Sequence, residues 1–159
     1  MNITEKDKQF MREAIRLANE SVRTGGGPFG AVVVKDGEIV AESSNSVTRD
    51  NDCTAHAEVN AIRKACRKLN TFDLSGCDIY SSCEPCPMCL GAIYWAHIER
   101  IFFAANRKDA AEGGFADDFI YEELEKPVEE RSTPIIPLLR DEGQQTFVLW
   151  KNTSDKIEY

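Results

Sequence analysis

Phe10, Met11, Ala14, Ile15, Leu17, Ala18 and Val22 recur at three- and four-residue steps up to Gly25, the spacing that gives a helix one apolar face. Thr4 followed by Asp7 resembles a capping box and marks the start of that helix. The segment GGGPFG cannot continue it, and residues 31–34, the Asp36-Gly37 pair and residues 38–41 read as strand, tight turn and strand. After a polar stretch, SSNSVTRDND, helical spacing returns in Ala57, Ala61, Ile62 and Ala65, joined by Val59 and Cys66. His56 and Glu58 fall in the first turn of this second helix. Residues 77–82 then read as a strand, 86–97 as a helix opened by Pro85, and 100–106 as a buried strand. Strand, helix, strand predicts a βαβ crossover. Short helices are expected within 109–130, a last strand over 135–140 and a short helix near 144–150. That makes five strands. The alternation of elements, without a linker, internal repeat or low-complexity tract, predicts one α/β domain over residues 1–159 with helices on both sheet faces.

Composition narrows the function classes. Of the 159 residues, 42% are apolar and 29% charged, which suits a globular protein and not a disordered one. The N-terminal MNITEKDKQF lacks the apolar core of a signal peptide. No run approaches the roughly 20 apolar residues of a membrane helix. A cytoplasmic location without membrane attachment is therefore expected. The net charge of −8 argues against nucleic acid as the main partner, because phosphate binding needs a basic footprint. Arg63, Lys64, Arg67 and Lys68 read as the solvated face of a helix. Six cysteines, at 53, 66, 77, 83, 86 and 89, are expected as thiols in a reducing compartment.

Two fragments carry the chemistry: TAHAEV, with His56 and Glu58, and CEPCPMC, with Cys83, Cys86 and Cys89. Zinc accepts sulfur and imidazole nitrogen in a tetrahedron, and a catalytic zinc keeps three protein ligands with one position open to water. His56, Cys86 and Cys89 supply three donors. Cys-x-x-Cys at a helix start brings two thiols to one ion, and the helix N-terminus favours thiolate. His-x-Glu followed by Pro-Cys-x-x-Cys is the zinc nucleobase-deaminase signature, in which the glutamate moves protons and does not bind metal. Glu58 is therefore the candidate general acid and base. Cys83 leaves an alternative open: as a fourth ligand it would close the ion's coordination and make the zinc structural, whereas at a strand end it packs as a small apolar group.

Across PFGAVVVKDG, TAHAEVNAIRKAC, SSCEPCPMCLGAIYWA and GFADDFIYEEL the chain resembles the bacterial guanine deaminases of the cytidine-deaminase-like zinc superfamily, nearly end to end. The resemblance implies a three-layer α/β/α cytidine-deaminase-like fold with a central five-stranded mixed sheet and one Zn2+ per subunit. It also implies hydrolytic deamination of guanine at C2 to xanthine and ammonia, with Glu58 moving protons to N3 and to the leaving amine. By position, Asn45 would hydrogen-bond the purine edge, Phe29 and Trp95 would wall the ring, and the Ala57 backbone would face the reacting base. Asp117, or its neighbour Asp118, would read the guanine. The family exchanges C-terminal segments in a homodimer, which would place Tyr159 over the neighbour's site. Each assignment has a plainer alternative: Asn45 and Asp117 as turn residues, Phe29 and Trp95 as core. Competing activities are tRNA adenosine deamination, expected on a more basic chain, free-cytosine deamination, and a zinc-stabilised interaction domain closed by Cys83.

Overall fold

Helix α1 (Glu5–Arg23) begins at the expected box. Thr4 Oγ1 accepts from the Asp7 N–H at 3.2 Å, and the Asp7 carboxylate accepts from the Thr4 N–H at 2.7 Å. The computed structural model describes residues 2–159. Strands β1 (Gly30–Lys35) and β2 (Glu38–Ser44) form the predicted antiparallel hairpin. Its turn places Asp36 at φ 52° and Gly37 at φ 74°, the left-handed pair that a two-residue hairpin of this twist requires. Strand β3 (Cys77–Cys83) pairs antiparallel with β1 and parallel with β4 (Arg100–Ala105), giving the order β2-β1-β3-β4. Between them lie α2 (Val47–Asp50), α3 (Ala57–Leu69) and α4 (Pro87–Trp95), the last being the helix of the predicted crossover.

Alternation along the strands feeds two cores. Val32, Val34 and Tyr80 meet Ala14 of α1, together with Phe10, Met11, Leu17 and Phe102. Ala31, Val33 and Ile79 meet Ala57, Ala61, Ile62 and Ala65 of α3, with Ile93 of α4 and Ala96. The sheet is thus a middle layer covered on both faces, which is why β1 reads as a continuous apolar run over residues 31–34. Burying each Val or Ile there contributes about 1.5–3 kcal/mol. Close approach of α1 depends on Gly30, where an added Cβ would lie 2.3 Å from the Ala14 carbonyl oxygen and 2.7 Å from the Ala18 nitrogen.

The expected fifth strand over 135–140 is absent, so the sheet has four strands among the described residues. Pro134 immediately precedes this segment and Pro137 lies within it, without an N–H to give to a ladder, and Leu139 turns to φ 52°, outside the strand region. The helix expected from 86 starts one residue later and is opened by Pro87, with Cys86 as its N-cap; Pro85 lies outside it. The polar loop after β2 folds its middle into α2. Downstream come α5 (Arg107–Glu112), α6 (Asp118–Glu125), a 3-10 turn (Val128–Glu130) and α7 (Arg140–Asn152), longer than the helix expected near 144–150.

The chain divides into two compact units, one ending at Asp118 and the other comprising Phe119–Tyr159. Within the second, Glu123 accepts from Lys126 Nζ at 2.6 Å and from the Ser132 N–H at 2.7 Å, tying α6 to the segment that follows it. No helix among the described residues is long and apolar enough to cross a membrane.

Candidate active site

His56 and Cys86 are the N-caps of α3 and α4, with extended backbone at φ −70° and −65°. An N-cap side chain usually accepts from the first turn of its own helix. Neither does so here. Both side chains are left to face each other, and Cys89, one turn into α4, joins them. His56 Nδ1 lies 3.6 Å from Cys86 Sγ and 3.4 Å from Cys89 Sγ. The donor atoms all fall within 4.8 Å of one another.

A tetrahedral zinc with its usual bond lengths separates nitrogen from sulfur by about 3.6 Å. The three donors fit that ion in spacing and in chemistry. Cys83 is not among them; at the end of β3 it is buried, and its thiol donates to the Asn106 carbonyl at 3.8 Å. Burial pushes the Cys83 thiol up to about 11, but what separates it from the donors is its position, bonded to a backbone carbonyl and outside the group that His56, Cys86 and Cys89 form. Cys86 behaves in the opposite way. A hydrogen bond from the Cys89 thiol, and then the His56 ring, pull its thiol down to about 4. Cys89, as donor to Cys86 and buried, is pushed up. The His56 imidazole is raised by its bond to Cys86.

Glu58, at the second position of α3, is 5% exposed. Its carboxylate accepts from Ser81 Oγ at 2.9 Å and from the Cys89 thiol at 3.4 Å. Burial raises its pKa above the ordinary carboxylate value despite these donors. A carboxyl shifted this way exchanges protons more readily near neutral pH.

A cavity of about 510 Å3 opens onto this group, and Phe29, Asn45, His56, Glu58, Cys86 and Asp117 all line it. Asn45 Oδ1 accepts from the Val47 N–H at 3.2 Å, which leaves the amide's Nδ2 donors for a ligand. Asp117 Oδ1 is buried with no hydrogen-bond partner, and burial raises the pKa of its carboxyl. Asp118, by contrast, is exposed and starts α6. Ala57 opens α3, fully buried, where the first N–H groups of a helix have no partner inside it. Trp95, at the end of α4, is 68% exposed and does not line the cavity. Tyr159 belongs to the second unit and is exposed.

Sequence reasoning missed several contributors. Phe115 packs edge-on against Phe29, centroids 5.0 Å apart, and Glu84 and Arg107 line the cavity, with Glu84 accepting from the Arg107 N–H at 3.1 Å. Ser81 was invisible because a strand buried on both faces gives no alternation to single out a polar residue. The adjacency of Phe115 to Asp117 in GFADDF was the one available hint.

The family model for the cytidine and deoxycytidylate deaminase zinc-binding region matches residues 4–105. The chain belongs to this family. Among its relatives is guanine deaminase of Bacillus subtilis, 56% identical over 94% of this chain and 97% of that protein. The crystal structure of guanine deaminase from Bacillus subtilis superposes with a TM-score of 0.93 at 54% identity, covering 100% of this chain and 99% of the other. A tRNA-specific adenosine deaminase of Aquifex aeolicus is 44% identical over 69% of this chain and 72% of its own length. Zinc is thus the family's cofactor, and His56, Cys86 and Cys89 are the residues suited to it here.

Proposed function

We propose that this protein hydrolyses guanine to xanthine and ammonia, with His56, Cys86 and Cys89 holding zinc and Glu58 carrying the protons. When bound, the ion would act as a Lewis acid that lets water attack carbon near neutral pH. Glu58 takes the proton of that water, delivers it to N3 of the ring, and passes the second to the departing amine. Water adds at C2, the C2–N bond breaks, and ammonia leaves. Asn45 donates from Nδ2 to a purine acceptor, Phe29 covers a face of the ring, and the Ala57 N–H faces the reacting edge. Asp117 receives a ring N–H.

The observation that carries this reading is the orphaned Asp117 Oδ1 at a cavity that also holds Glu58 and Asn45. A buried carboxylate oxygen without a donor costs about 1–3 kcal/mol or more, a deficit that a base bearing N–H groups removes. The near full-length relation to a guanine deaminase supports the same substrate. The test is ammonia release from guanine, cytosine, adenine and an anticodon stem-loop, measured with the zinc content of the same sample. Guanine should be turned over fastest at one zinc per chain; faster release from any other member reassigns the substrate.

We further propose that the working form is a homodimer in which the C-terminal segment, with Tyr159, reaches the neighbour's site. The second unit displays Leu138, Phe147, Leu149, Ile157 and Tyr159 at 69–83% exposure within one chain. Exposed apolar side chains in this number are what a partner subunit would cover, which supports the reading.

A further inference from the structure

Ser81 sits in β3 opposite Ala31 of β1, so its side chain points to the sheet face that α3 covers. It is 2% exposed, and its hydroxyl donates to Glu58 Oε1 at 2.9 Å. The other carboxylate oxygen, Oε2, accepts from the Cys89 thiol. A cysteine that ligates zinc does so as thiolate, without a proton to donate. Ser81 is then the side-chain donor left to the Glu58 carboxylate.

We propose that Ser81 is a positioning residue for the reaction: it pins Glu58 Oε1 so that Oε2 faces the metal pole of the cavity throughout the proton transfers. The inference rests on the deaminase reading above. A hydroxyl suits this task because it donates equally to an ionised carboxylate and to the carbonyl oxygen of a protonated one. The bond therefore persists as Glu58 gains and loses its proton. Without it the carboxyl turns about its last torsion, which is broad and weakly restrained. Loss of alignment at the reacting atoms costs up to about 10²-fold in rate even when the group itself remains.

A purely structural role predicts something different, and the neighbouring residue supplies the control. Ser82 is also buried, but its Oγ accepts from the Gly30 N–H at 3.0 Å and does not touch Glu58. Each serine therefore holds one buried hydrogen bond, and only one of them acts on the carboxylate.

The experiment compares zinc-loaded, full-length Ser81→Ala, Ser82→Ala and Ser81→Thr with the parent on whichever base the parent deaminates fastest. Ser81→Ala should lower kcat about 10- to 100-fold with KM within about twofold, one zinc per chain retained. Ser82→Ala should lower Tm to a similar degree with kcat little changed. Ser81→Thr, which restores the hydroxyl, should recover most of kcat. A crystal structure of Ser81→Ala should show the Glu58 carboxyl rotated from its place. Should Ser81→Ala not fold, Ser81→Val, the apolar counterpart of Ser81→Thr and likewise without a donor, takes its place in the comparison. The proposal is overturned by near-parental kcat in the substituted protein, by an equal fall in Ser82→Ala, by no recovery with Thr, or by an unmoved Glu58 carboxyl. A parent that releases no ammonia from guanine sinks the substrate assignment alone, since the Ser81 comparison is read as a ratio on any base turned over.

Discussion

Burial discourages the charge of Glu58, yet its carboxylate accepts from the Ser81 hydroxyl and the Cys89 thiol at the edge of the donor cluster. Glu58→Gln keeps the shape and removes the proton carrier, and we expect zinc retained with kcat down at least about 10²-fold, checked by metal analysis beside steady-state kinetics. Cys83→Ala should behave in the reverse manner, keeping both zinc and most activity, because the Cys83 thiol donates to a carbonyl and takes no part in the donor cluster. A loss of zinc in that variant would make it a ligand. The cluster of His56, Cys86 and Cys89 was legible as a candidate because few residue types bind zinc and each half, His-x-Glu and Cys-x-x-Cys, is a short motif, although 30 residues separate His56 from Cys86. The placement of Asp117 rather than Asp118 was not, since two adjacent aspartates differ only in which one the fold buries. Trp95 was expected to wall the ring and lies exposed at the end of its helix, a distinction that helical spacing in a short, uniformly apolar segment does not make.

At the scale of elements, the site is made where the N-termini of α3 and α4 meet, and Asn60 of α3 holds three points of the adjoining loop. Asn60 Nδ2 lies within 3.2 Å of the Ser44 and Ala55 carbonyls and 2.9 Å from Ser46 Oγ. These acceptors flank Asn45 on one side and His56 on the other. Asn60→Ala should therefore destabilise the protein by about 1–3 kcal/mol and raise KM for the base, measured by denaturant unfolding and kinetics together. The helices and the hairpin were readable because period and turn chemistry are local. The segment 135–140 has the apolar run of a strand, but Pro137 within it has no N–H for a ladder, and no strand forms there.

Over the whole molecule, stability in acid is tied to the α1 face of the sheet. The Tyr80 hydroxyl donates to Asp7 inside the fold, and the Thr4 hydroxyl, first among its causes, with Tyr80 holds the Asp7 carboxyl down to about 2. A carboxyl lowered in the folded state stabilises it above the unfolded value near 4, and that contribution is lost as pH falls from about 4 to about 2. Tyr80→Phe should cost about 1–2 kcal/mol at neutral pH and move acid unfolding to higher pH, followed by circular dichroism. Removing the last five residues should lower guanine turnover if the C-terminal segment completes a neighbour's site; unchanged kinetics in a protein of unchanged sedimentation would leave the swap without support.

The sequence by itself marked out the candidate metal donors, the candidate proton carrier and the order of most elements, because each rests on the chemistry of a residue type or on a short motif that a local pattern displays. Only the tertiary structure decided which aspartate faces the cavity, that Ser81 reaches Glu58, and that Cys83 stays outside the donor group. Those depend on strand register and on which face each side chain takes, relations between residues tens of positions apart that no local pattern encodes.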